Sequence, residues 1–390
     1  MTQAWDMLDN AVDFEPACPL DALLRQVPAK WVVYLMADQA DRPVQLLCVK
    51  NLRYSLKRRL GEPDPLTGPS KRIDYRLLVR RIHWRRVYSA FEADVVYLEA
   101  ARRYFPDAYR GMMGFQPAWF IHVDADARFP RYTRTIDLDI RSGQLIGPVE
   151  DKHAASRLIE QVVDWFDLCR YYNILLTSPH ATACAYKEMG KCPAPCDGSI
   201  SIENYRHMVQ WSADTLVAPQ TVIEDATQRM KLAAAELKFE SAARIKQYID
   251  SLSQLGRGAY RHVRRLRDFK YLSIQPGPRV NTAKLFLITP GDIEELAGLI
   301  DVPRDPGQIV NLALSLAAGR SADSLDAIAA ERVGLVSHHL FQPKATQGVF
   351  LPLDQIDEKQ IIKAFRDVQK HKQEEMAEES EGVIKELQAM

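Results

Sequence analysis

The feature that most limits what this chain can be is the spacing of its cysteines. Four of the six lie between positions 169 and 196, as Cys169-x14-Cys184-x7-Cys192-x3-Cys196. Six cysteines in 390 residues are too few for a disulfide-stapled scaffold. Four thiols this close together instead point to a soft-metal site, because thiolates ligate tetrahedral zinc or an iron–sulfur cluster. The plainer alternative is four reduced, buried cysteines. His180 and His207 lie nearby and read as polar surface groups, and Cys18 and Cys48 read as unligated, Cys48 within an apolar strand.

The rest of the composition narrows the class. Apolar residues at 47% and charged residues at 26% can bury a real core, and 390 residues suggest two or three domains. No run approaches the ~18 apolar residues of a membrane helix. The start MTQAWDMLDNAVDFEPACPL lacks a basic segment followed by an apolar one, so the expected location is the cytoplasm. Basic and acidic residues balance at 51 each. Cations are nevertheless concentrated between Asn51 and Arg110, fourteen Lys and Arg against seven Asp and Glu. The densest part, KRIDYRLLVRRIHWRRVY at 71–88, interleaves Lys71, Arg72, Arg76, Arg80, Arg81, Arg85 and Arg86 with Tyr75, Trp84 and Tyr88. Guanidinium groups pair with phosphates and aromatic rings stack on bases, so a nucleic-acid surface competes with a solvated basic face. A second basic stretch, GRGAYRHVRRLRDFK, occupies 256–270.

Periodicity predicts an α+β fold. WVVYLM (31–36) and VQLLCV (44–49) read as a hairpin of buried strands, NLRYSLKRRL (51–60) as a helix stopped by Gly61 and Pro63, and RIHWRRVY (81–88) as a third strand. SAFEADVVYLEAARRYF (89–105) is helical and ends at Pro106. AWFIHVD and RYTRTIDLDI read as strands around a Pro/Arg loop, HAASRLIEQVVDWFDL (153–168) as an amphipathic helix, and ISIENYRHMVQWSADTL as another. Residues 220–255 form a long helical pattern with one break near Leu237–Phe239. From 270 the pattern changes to YLSIQPG, AKLFLITPGDIEELAGLI and short helices, and the tail from Lys370 reads as a mixed-charge helix. The pair His338–His339 reads as surface.

The order of strand, strand, KNLRYSLKRRL helix, strand and SAFEADVVYLE helix resembles a GIY-YIG nuclease domain, and specifically the N-terminal half of the UvrC excinuclease family. WFIHVDADARFPRYTRTIDLDIRSGQLIGPV resembles the segment that follows the nuclease domain in that family, and the cysteine run ending KCPAPCDGSISIENY resembles its four-cysteine element. RMKLAAAELKFESAARIKQYIDSL (229–252) resembles the UVR motif. The likeness spans roughly 30–255. It implies a small GIY-YIG-like mixed sheet with helices, a cysteine-rich segment, a UVR helical hairpin and an α-rich C-terminal region. The expected division is an N-terminal extension (1–29), a degenerate nuclease-like domain (30–112), a connecting β/α segment with the cysteine site (113–200), helices including the hairpin (201–256) and a C-terminal region without assigned role (257–390).

A GIY-YIG site needs two tyrosines, an arginine facing the phosphate, a helix glutamate for the divalent metal and an asparagine. On this alignment the first tyrosine survives as Tyr34, with Val32 in place of the preceding glycine. Gln45-Leu46-Leu47 stand where the second tyrosine and glycine belong, Ser55 at the arginine, Tyr97 at the glutamate and Arg110 near the asparagine. Glu99 and Glu92 lie two and five residues from Tyr97 and project to the opposite side of the helix. A two-residue slip would restore Glu99. Tyr34 as a remnant and Glu99 are therefore the candidate catalytic residues, with magnesium required only if the site is active.

The resemblance also implies a [4Fe–4S] cluster, with zinc as the alternative, on Cys169, Cys184, Cys192 and Cys196. The expected partners are DNA and a UvrB-like helicase, with no membrane. Arg53, Lys57, Arg58, Arg80, Arg81, Arg85 and Arg86 are candidates for DNA contact, as are the arginines at 261–267. Met230, Leu237, Phe239, Glu240 and Ala243 are candidates for partner contact, with Phe239 expected to anchor the hairpin turn. Three functions stay open: a repair protein with a decayed nuclease site, an active GIY-YIG endonuclease of the excinuclease type, and a regulator acting through its metal site and UVR motif without DNA.

Overall fold

The computed structural model describes residues 7–61, 73–301, 305–342, 348–370 and 372. Pro63, Lys71, Arg72 and most of the tail expected to be helical lie outside these residues.

The first unit is a four-stranded sheet flanked by helices. Its strands are β1 (Asn10–Asp13), β2 (Val32–Ala37), β3 (Pro43–Val49) and β4 (Arg81–Arg86), in the order β1-β4-β2-β3. Every pairing is antiparallel, so the sheet expected to be mixed is not. The stretch read as an extension supplies the edge strand, with Asn10 opposite Trp84, and it buries Leu8 and Phe14. The helices are α1 (Leu20–Gln26), α2 (Leu52–Leu60), the short α3 (Tyr75–Leu78) and α4 (Ala90–Tyr104). All six residues of β2 are buried, because helices cover the central strand on both faces. Side chains alternate along a strand. Val32, Tyr34 and Met36 therefore pack with Leu52, Leu56 and Leu60 of α2. Val33 and Leu35 pack on the other side with Ala93, Val96 and Ala100 of α4. The start of α4 is a capping box: Ser89 Oγ accepts from the Glu92 amide at 3.1 Å, and the Glu92 carboxylate accepts from the Tyr88 amide at 2.9 Å.

The second unit is built on β5 (Trp119–Val123), β6 (Tyr132–Thr135), β7 (Gln144–Val149) and the two-residue β8 (Arg264–Arg265), in the order β6-β5-β7-β8. β6 stops short of the predicted run because Thr135 and Asp137 turn the chain with side-chain bonds to backbone amides two residues on. At Gly147 the Phe120 ring lies 2.7 Å from where a Cβ would stand, so only glycine fits the GP step. The helices are α5 (Lys152–Trp165), the short α6 (Tyr172–Leu175) and α7 (Ala185–Glu188), then α8 (Ile202–Val217), α9 (Pro219–Ala235) and α10 (Phe239–Leu252). Ile121, Ile146, Leu158, Val162, Val209 and Leu252 share one core, which ties sheet, cysteine segment and hairpin base together.

The C-terminal region, expected to be α-rich, holds α11 (Pro306–Ala317), α12 (Ala327–Phe341) and α13 (358–370). It also holds a sheet, β9 (Tyr271–Pro276), β10 (Thr282–Thr289), β11 (Asp292–Asp301) and β12 (Val349–Pro352), ordered β11-β10-β9-β12. One face of this sheet packs on Ala313, Ile361 and Phe365. From the other, Phe286 and Ile288 join Phe91 and Leu98 of α4, Phe120, and Val333 of α12. The C-terminal sheet thus meets the first unit along α4.

Candidate functional site

The surviving tyrosine is sealed. Tyr34 is fully buried, and its phenol lies 2.8 Å from the Ser55 hydroxyl. Ser55 is itself buried on α2, at the position where the resemblance places an arginine. Burial pushes the phenol above its ordinary value, against the opposing pull of Ser55 and Arg59. The phenol is thus shut away from solvent. The helix that would carry the metal ligand, α4, covers the opposite face of the sheet. Tyr97, at the glutamate position, reaches the Leu46 carbonyl of β3 at 3.4 Å.

Each of three carboxylates on α4 has a cationic or imidazole partner in the C-terminal region. Glu92, 1% exposed, binds Lys284 Nζ at 2.7 Å. Asp94 accepts from or pairs with His339 Nε2 at 2.8 Å. Glu99 binds Arg332 Nε at 2.8 Å and Arg102 Nη1 at 3.1 Å. Glu99, the candidate metal ligand, is therefore committed to two guanidinium groups. The expectation that His338–His339 lies on the surface fails for His339, which is 4% exposed. Burial still leaves the Glu92 carboxyl above its ordinary value, with Lys284 pulling the other way. No sequence pattern marks these partners, because they lie 192, 245 and 233 residues away along the chain.

Much of the basic segment is occupied internally. Arg53 donates to the Val27 carbonyl, and Arg80 to the carbonyls of Arg76 and Val79. Arg81 pairs with Asp13 and Asp41, and Arg85 with Glu295 of β11. Arg86 is exposed and rests on the Tyr88 ring. Lys57 and Arg58 are exposed on α2 and have no ion-pair partner among the described residues. The second basic stretch is similarly engaged: Arg261 binds the Leu340 carbonyl, Arg264 pairs with Asp354, and Arg265 with Asp214.

The cysteine segment folds against α5 and α8. Cys192 and Cys196 are buried, whereas Cys169 and Cys184 are half-buried. The thiols of Cys169 and Cys192 share a hydrogen bond that raises the former and lowers the latter, and the Ala194 amide and Arg170 also favour the Cys192 thiolate. Lys187 pairs with Asp197 at 2.5 Å and the Ala181 amide binds the Cys196 carbonyl, so the loop is internally tied. Among the described residues, no three Cys, His, Asp or Glu side chains converge at liganding distance. The four thiols are soft donors carried on one segment, and Cys192 is held toward its thiolate.

The predicted break in the long helical pattern falls where expected. α9 ends at Ala235, Leu237 takes a left-handed conformation (φ 60°), and α10 begins at Phe239. Ala226 and Ala233 are buried. Leu232, Leu237 and Phe239 are 64%, 74% and 65% exposed. Phe239 therefore does not anchor the turn by burial. It stands at an uncovered apolar tip, beside exposed Glu240 and Ala243, with Met230 half-buried.

Known proteins match these same two segments. Residues 118–214 match the UvrC/Cho excinuclease middle domain, and residues 220–255 match the UvrB/uvrC motif. Over these segments the chain resembles UvrC proteins. Among its curated relatives, the UvrABC system protein C of Trichlorobacter lovleyi is 25% identical over 232 residues, covering 59% of this chain and 37% of the relative. That of Syntrophomonas wolfei is 24% identical over 278 residues, 69% and 44% of the two chains. That of Methanothermobacter thermautotrophicus is 28% identical over 236 residues, 59% and 38%. The UvrC-like chain thus spans about two fifths of the length of these relatives. No solved structure matches it. Among the described residues, no helix is long and apolar enough to cross a membrane.

Proposed function

We propose that this chain is a nucleotide-excision-repair protein that binds DNA and a UvrB-type helicase, and that its nuclease-like first unit does not cleave. One observation carries the non-cleaving reading: Tyr34 is closed against Ser55 on the α2 face, while Glu92, Asp94 and Glu99 on the other face are all paired. A divalent metal would find these three carboxylates already engaged and the Tyr34 phenol inaccessible. The uncovered tip formed by Leu237 and Phe239 supports helical contact with a partner, since an exposed apolar hairpin end marks an interaction surface. Lys57, Arg58 and Arg86 are exposed cations of the basic segment that could contact phosphate.

Cys169, Cys184, Cys192 and Cys196 would hold a [4Fe–4S] cluster, or zinc, in this reading. Such a centre would brace the loop between α5 and α8, and no chemical step is assigned to it. Anaerobic purification with iron, sulfide and zinc assays separates the two occupants.

The decisive experiment measures binding and magnesium-dependent nicking on damaged and cruciform DNA. Binding that weakens with salt, together with no turnover, is expected. Robust turnover abolished by Glu99→Ala would establish an active endonuclease. Absence of DNA binding, with the helicase still captured, would leave the regulator that works through its cysteines and hairpin.

A further inference from the structure

Beside the cysteine segment lies a cleft of about 510 Å³ between β6, α5 and the loop that follows α5. That volume falls in the range of small-ligand sites. Its floor is apolar, with Leu168, Leu175 and Val209 all buried. Two arginine–tyrosine stacks form its rim. The Arg131 guanidinium lies 4.0 Å from the Tyr172 ring centroid, and the Arg170 guanidinium 4.4 Å from that of Tyr186.

The two arginines differ in what they have left to offer. Arg170 is spent on structure: it pairs with Asp164 of α5 and donates to the Lys191 carbonyl at 2.9 Å, which holds the cysteine loop to the helix. Arg131 is exposed and makes no hydrogen bond or ion pair with any described residue. The Tyr172 ring occupies the face of its guanidinium, so its in-plane N–H donors remain for an anion. A planar cation pre-oriented by stacking loses little side-chain freedom when it grips a phosphate. Asp164 is neutralised by Arg170, which leaves Glu160 as the rim carboxylate without a partner among the described residues.

We infer that this cleft binds one nucleotide unit, with its phosphate on Arg131 and its base over the apolar floor. For the source of that unit, a DNA strand, the inference rests on the DNA-binding reading above. The cleft lies away from the basic segment of the first unit, so the strand contact is assigned to the second unit as well. Base and phosphate together fit the rim and floor better than an inorganic anion, which would leave the half-buried Ile159 and Val163 of the lining uncovered.

The test uses the full chain and fluorescence anisotropy with a labelled single-stranded oligonucleotide, competed by a free mononucleotide. Arg131→Ala should weaken strand binding roughly tenfold and make the logarithmic salt dependence shallower by about one. Arg131→Lys should recover only part of the loss. Glu160→Gln should tighten binding, a gain that a merely structural role would not produce. Unchanged circular dichroism and melting of each variant show that folding is intact. If the wild-type chain binds the strand and Arg131→Ala binds equally well, the cleft is overturned while the DNA-binding reading stands. If the wild-type chain ignores the strand but binds the mononucleotide through Arg131, the cleft stands and its source is free nucleotide. If it binds neither, both readings fall.

Discussion

The Tyr34 phenol and the Ser55 hydroxyl face each other at 2.8 Å across a dry interface between β2 and α2, both of them buried. Leucines from α2 close over the pair.

Removing either hydroxyl strands the other. Ser55→Ala and Tyr34→Phe should each destabilise the fold by about 1–2 kcal/mol, because a buried polar group loses its partner. The double variant should cost less than the sum, with a coupling of about 1 kcal/mol. Urea denaturation of the four proteins measures this. Additive losses would show that the hydroxyls do not depend on one another.

Lys284 neutralises a carboxylate that is almost completely buried. Lys284→Ala should cost about 3–5 kcal/mol at neutral pH, since it leaves Glu92 ionised without a partner. Glu92→Gln combined with Lys284→Met should recover most of that. The pH dependence has a definite sign. Burial holds Glu92 above its ordinary 4.5, so the folded state keeps its proton more tightly than the unfolded chain. Its contribution therefore falls as pH rises from 4.5 through the folded value. Lys284 is held above its ordinary 10.5 by Glu92 and Glu295 against the effect of burial, so its contribution is intact at neutral pH and is lost only above 10.5. In Lys284→Ala the Glu92 window should widen upward, and stability should recover on acidification. A denaturation midpoint that ignores pH in that variant contradicts this.

Two histidines should make the wild-type chain acid-sensitive. Burial, reinforced by Arg81, lowers His83 to about 4, and burial with Arg261 does the same to His262. As pH drops from 6.5 toward 4, the unfolded chain takes up protons that the folded chain refuses, so stability declines. The loss should be on the order of 1–3 kcal/mol for each histidine. Imidazole resonances followed by NMR should show two rings that stay neutral well below pH 6.5.

The hairpin tip should separate binding from stability. Phe239 is mostly exposed, so Phe239→Ala should shift folding by no more than about 0.5 kcal/mol. Capture of the helicase should nevertheless weaken at least about tenfold. Leu237→Gly relieves the left-handed backbone and should stabilise the hairpin by about 1 kcal/mol while still weakening capture. Undiminished capture by both variants would remove the tip from the interface.

Local structure is largely legible in the sequence. The apolar run WVVYLM, the helical run ending at Pro106 and the interruption near Leu237 each act over a few residues, and these elements form where their patterns stand. The seven candidate DNA contacts are less legible: a basic run shows charge but not whether Asp13, Asp41 or Glu295 will claim it. Nothing local singles out Arg131, which stands in a short FPR step, because its availability depends on what the fold leaves unpaired around it.

The amino-acid order by itself determined the central strands and helices of the first unit, the break in the hairpin, and the clustering of four thiols in one segment, because these follow from neighbours close in the chain. Only the tertiary structure decided that Tyr34 is shut in and that Glu92, Asp94 and Glu99 are committed to Lys284, His339 and Arg332. The three α4 pairings join groups 192, 245 and 233 residues apart, and an ion pair or a buried hydroxyl exists only once packing has brought both partners together.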